Sequence, residues 1–106
     1  MTVFTVSRNE KDLSLFALAI SQLASGRSNA VGTFTCTQNE ATTTVTDANC
    51  AVGSTVLYMP TTANASAEVG AGTIYIATAT ILNGSFVVTH ANSATASRTF
   101  RYALVG

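Results

Sequence analysis

At residue 31 the spacing of apolar residues changes from three or four to two. "VGTFTCT" (31–37) sets Phe34 and Cys36 between threonines, and "TTTVTD" (42–47), "STVLYMP" (54–60), "SFVVTH" (85–90) and "TFRYALV" (99–105) follow in the same style. A period of two belongs to a strand with one buried face. Threonine, which occurs 18 times, suits such strands because its branched Cβ is stiff and packs well on a pleated surface. Val31 falls out of phase with Phe34, which predicts a bulge at Gly32.

The remaining segments complete a β pattern. "TIYIATATIL" (73–82) is expected to be the longest strand. Asn83-Gly84 after it is a strong hairpin signal, because both residues tolerate positive φ. "QNEA", "TTANASAEVGAG" (61–72) and "ANSATASR" (91–98) are expected to be turns and loops, with Gly70 and Gly72 free to take positive φ. Short strands with polar turns predict a mainly β fold, an antiparallel β-sandwich of jelly-roll-like form with one N-terminal α-helix.

That helix precedes the switch. Ser7 and Glu10 form a capping box, Glu10 and Asp12 fall in the first turn, and Gly26 stands where a left-handed C-cap is wanted. Leu13, Phe16, Ile20 and Leu23 are spaced 3, 4, 3, the seam of a coiled coil, and Leu15 and Leu18 widen the apolar surface. Two heptads are too few for a stable isolated coil. The helix therefore docks on its own domain or packs against the helices of other copies. Residues 1–27, a strand "MTVFTV" and this helix, are expected to be an anchor or oligomerisation element, with the β domain over 28–106.

Composition narrows the function. Charged residues are 9% of the 106, against about 25% in typical soluble domains, and net charge is zero. A chain so poor in charge has no electrostatic footprint for nucleic acid and tends to associate. It has no apolar run of membrane-spanning length, so no membrane insertion is expected. The N-terminus lacks the basic start and apolar core of a secretory signal.

Little chemistry is visible. Cys36 and Cys50 with His90 are too few ligands for a metal site, so no metal or cofactor is expected. Both thiols are expected to be free and buried, with a strand-to-strand disulfide as the alternative. His90 is the sole histidine, and no acid is tied to it by spacing. It is expected to end a strand and bond a turn, or to lie in a contact surface. Five scattered acids do not make a catalytic pair, although Glu68 could pair with Arg98 or Arg101. No catalytic residue is expected.

Three segments carry a likeness: "GRSNAVGTFT", "TANASAEVGAGTIYI" and "NGSFVVTHANSATASRTFRYALVG". They resemble a group of small tailed-bacteriophage virion proteins over residues 26–106. The resemblance implies a non-enzymatic virion component present in several copies and assembled in the bacterial cytoplasm. On this reading the chain is a trimeric fibre- or spike-type protein. Leu13, Phe16, Ile20 and Leu23 anchor it or join its copies, and the β domain projects. Its implied partners are itself, other capsid or tail proteins, and a host surface glycan. Asn64, Glu68, His90 and Asn92 are the candidate contacts in the loops. The alternative is a capsid decoration protein clamping neighbouring subunits. A carbohydrate-active enzyme is the remote third reading.

Overall fold

The computed structural model describes residues 13–26 and 28–106. The expected Ser7 cap, first-turn acids and "MTVFTV" strand lie outside the described residues. Helix α1 (Leu13–Ala24) is followed by strands β1 (Val31–Thr35), β2 (Thr42–Thr46) and β3 (Thr55–Pro60), then helix α2 (Ala63–Ala71). A short 3-10 turn (Thr78–Thr80) and strands β4 (Ser85–Thr89) and β5 (Thr99–Val105) complete the order. The fold is mainly β, in two antiparallel sheets: a three-stranded one in the order β1-β5-β3 and a two-stranded one pairing β2 with β4.

Period-two patterning places the core. Phe34 and Cys36 near β1 and Phe100, Tyr102 and Leu104 on β5 are buried, as are Val45 on β2 and Phe86 and Val88 on β4. Rings from the two sheets meet directly. Phe86 stands edge-on to Tyr102 at 5.2 Å and to Phe34 at 6.4 Å, and Phe34 stacks on Phe100 at 5.1 Å. Edge-to-face and offset-stacked pairs are the favoured arrangements of aromatic quadrupoles.

Three expectations are corrected. No bulge occurs at Gly32, which pairs with Tyr102 in an unbroken β1–β5 register. Gly32, Phe34 and Cys36 share the inner face, and Val31 belongs to the outer one, where it is exposed. The glycine is needed because the Tyr102 ring lies over it: a Cβ at residue 32 would stand 2.5 Å from the phenol oxygen. That phenol donates to Asp47 Oδ2 at 2.6 Å, tying β5 to the end of β2.

The loop expected over 61–72 is instead α2. Thr62 caps it in an extended conformation, its hydroxyl accepting from Ala65 N–H, and Gly72 closes it at φ +71°. Alanine, the strongest helix former, fills much of the segment between these caps. Gly72 takes the positive φ foreseen for it, and Gly70 lies inside the helix.

The long strand over 73–82 does not form. Tyr75 makes an isolated pair with Thr89 on β4, and the chain then tightens into the 3-10 turn. There the Thr80 hydroxyl donates to the Ala77 and Val87 carbonyls, a local alternative to a ladder. The Asn83-Gly84 turn is present, with Leu82 paired to Ser85 across it and Gly84 at φ +89°.

Gly32→Ala is predicted to destabilise the domain by about 1–3 kcal/mol, the usual cost of overpacking. Chemical denaturation of the variant checks this. An unchanged midpoint would mean that Tyr102 gives way freely.

Candidate functional site

Among the described residues, the one dense group of ionisable and polar side chains lies inside the protein. Helix α2 seats fully buried Ala65 and carries Glu68 one turn later, 6% exposed. Arg98, 1% exposed, immediately precedes β5. Its Nη1 donates to Glu68 Oε1 at 2.6 Å, forming a buried ion pair.

The rest of the guanidinium organises backbone. Nη1 also reaches the Ala91 carbonyl, Nη2 the Ser93 and Thr37 carbonyls, and Nε the Thr95 carbonyl. All five N–H groups of the side chain are thus used. Segment 91–97 has no ladder to satisfy its carbonyls, and donors arrive one by one. Gln38 Nε2 bonds Ala94, Asn64 Nδ2 bonds Ala96 and the Thr62 hydroxyl bonds Ser97. Ser97 is held at φ +58° in the process.

Glu68 is equally satisfied. Its Oε2 accepts from the Thr73 hydroxyl and from Ala91 N–H. Burial opposes ionisation of this carboxyl. Bonds from Thr73, Arg98 and Ala91, with the Arg98 charge, outweigh it and hold the group below its ordinary value. His90, 4% exposed, bonds the Ala91 carbonyl through Nδ1 and the Thr43 hydroxyl through Nε2. A carbonyl only accepts, so Nδ1 carries the proton in that bond.

Cys36 and Cys50 are buried free thiols. Burial pushes the Cys36 thiol up, with nearby Glu68 acting in the same direction and Arg98 against it. Cys36 is therefore a protonated core group rather than a thiolate. No group of three His, Cys, Asp or Glu side chains suited to a metal comes together among the described residues. No buried side-chain polar atom among them lacks a partner.

Four residues were expected to be loop contacts. Glu68 and His90 are buried and turned into the Arg98 network, so neither presents its side chain to a partner. Asn64 is exposed but occupied in holding Ala96, and Asn92 is exposed. The Glu68–Arg98 pairing, one of the pairings considered for Glu68, is found within the chain.

The exposed surfaces have the opposite chemistry. No residue of α1 is buried, and Leu13, Ile20 and Leu23 are 62–80% exposed. Of the four expected anchor residues, Phe16 alone is half-buried. The outer face of the three-stranded sheet also carries an apolar patch, set among Thr33, Thr35, Thr55, Thr99 and Arg101. Val31 on β1, Leu57 and Met59 on β3, and Val105 on β5 are 43–58% exposed. Period-two alternation marks the buried residues of these strands and leaves this surface unmarked. Its signal was Leu57 and Met59 standing out of phase with Val56 and Tyr58.

Set against known protein families, curated proteins and solved structures, the chain matches none of them.

Arg98→Met should destabilise the domain by about 3–5 kcal/mol, because it strands a buried carboxylate. Glu68 also sets an acid limit. Its folded value is depressed, so the stability it contributes is complete above the ordinary value of 4.5 and is lost as pH falls through the folded value. Glu68→Gln should therefore flatten the pH dependence of unfolding below 4.5, whereas a parallel acid profile would remove Glu68 from the account.

Proposed function

We propose that this chain is a structural part of a tailed-bacteriophage virion, a small multi-copy accessory protein of the fibre or spike kind that assembles as a trimer. Its N-terminal helix joins the copies or anchors them to the particle, and the β domain projects as a sandwich of two facing sheets. The protein acts by fitting and holding rather than by catalysis.

The carrying observation is α1. It is apolar around most of its circumference, has no charged residue, and buries none of its side chains. A 12-residue helix left uncovered in water is marginal, because nucleation is costly and little offsets it. A helix apolar on all sides belongs in a buried setting. The zero net charge and 9% charged residues agree with a surface made for association. Facing aromatic rings support the sandwich, and the resemblance of residues 26–106 to phage virion proteins supports the particle.

The test is mass in solution. Sedimentation at micromolar concentration should give a trimer, and Leu13→Asp with Ile20→Asp should give a monomer whose β domain melts as before. A wild-type monomer under these conditions contradicts the assembly reading. In particles of a phage encoding the chain, the protein should be a stoichiometric component, and its absence from mature particles contradicts the virion role.

A further inference from the structure

Two apolar surfaces of one chain stand uncovered, and they fit each other. We infer that α1 of one copy lies across the outer face of the three-stranded sheet of the next copy, so that the copies are joined by helix exchange. This rests on the assembly reading above and names the surface that receives the helix.

Size is the first argument. A 12-residue helix is about 18 Å long and, with side chains, about 10–12 Å wide. Three strands at their usual spacing of about 4.8 Å set the outer strands about 10 Å apart, and seven-residue β5 runs about 24 Å between them. One helix therefore covers this face lengthwise. The face is not flat. A shallow depression of about 330 Å³ is lined by Val31, Leu57, Met59, Arg101 and Ala103, among others, and a helix ridge can enter it.

Area is the second argument. Stable association needs about 800 Å² from each partner, more than a single short helix laid on a sheet provides. In an exchange around a closed ring each copy contributes both its helix and its sheet face, which doubles the buried area without a new surface. The two regions are continuous. A second depression joins Ser25 and Gly26, at the end of α1, to Val31, Arg101 and Ala103 on the face. The helix thus departs from the rim of the surface that receives its counterpart.

Charge agrees. Arg101 is the one ionic group on the outward side of the three strands. The helix carries no charged residue, so it brings nothing to repel that group.

Two paired variants test the exchange by sedimentation, with circular dichroism to follow folding. The face variant Leu57→Asp/Met59→Asp alters exposed side chains and should be a folded monomer. The helix variant Leu13→Asp/Ile20→Asp should be a monomer as well. Mixed, they should form a one-to-one pair only at concentrations well above those at which the wild type assembles, because one retains a helix and the other a face but a single contact replaces the closed ring. If the face variant still assembles and only the helix variant does not, α1 pairs with α1. The exchange is then wrong while the assembly reading stands. If the wild type is itself a monomer, both fail. Should the face variant unfold, cysteine cross-linking decides instead. Leu23→Cys mixed with Met59→Cys and oxidised by diamide, which takes the two thiol hydrogens, should give a mixed disulfide dimer in excess of either self-linked dimer. Self-linked Leu23→Cys alone would overturn the exchange.

Discussion

The Arg98 guanidinium holds together the part of this protein that no ladder holds. Burying such a group is costly unless every donor is met and its charge is balanced. Glu68 supplies the balance, and carbonyls of residues 37, 91, 93 and 95 take the other donors. Through that one side chain, α2, the end of β1, the 91–97 segment and the start of β5 are placed relative to each other. Strand β5 is the centre of its sheet, so its position also sets β1 and β3.

The same interaction explains why the molecule's polar cluster is inside and its apolar patches are outside. Glu68, His90 and Cys36 beside an arginine would suggest chemistry if they opened onto a cleft. Here Glu68 and His90 are hydrogen-bonded by neighbours and turned inward as fasteners for irregular backbone, and Cys36 is a buried core thiol. The outer sheet face and α1 carry the unspent hydrophobic surface. Contiguous exposed apolar patches of this kind on small domains mark contact sites. The radius of gyration, 16.3 Å against about 13 Å for a compact chain near this length, reflects a helix standing away from the domain.

Much of the β domain was legible in the sequence. All five strands fall within segments marked by period-two patterning, and Asn83-Gly84 turns the chain where its φ preferences require. Besides the bulge at Gly32, two segments depart from expectation, each for its own reason. "TTANASAEVGAG" looked like a low-complexity loop, yet Thr62 before it, its alanines and Gly72 after it are helix signals with a physical basis. "TIYIATATIL" has strong strand propensity, but propensity yields to local bonding where a threonine hydroxyl satisfies the backbone. The Arg98 network was partly visible as a candidate Glu68 pairing. Its carbonyl partners were not, because backbone acceptors leave no trace in residue identity. The outer patch was not legible, since alternation shows two faces and does not say that the second will also carry apolar residues.

The central claim is that α1 owes its order to another copy of the protein. Amide hydrogen exchange measured on assembled protein and again after dilution to dissociation addresses it directly. Amides of residues 14–24 should be slow in the assembly and exchange at nearly free rates once the copies separate, while β5 stays slow in both. Equal protection of residues 14–24 in both states would place their cover within the same chain and contradict the account.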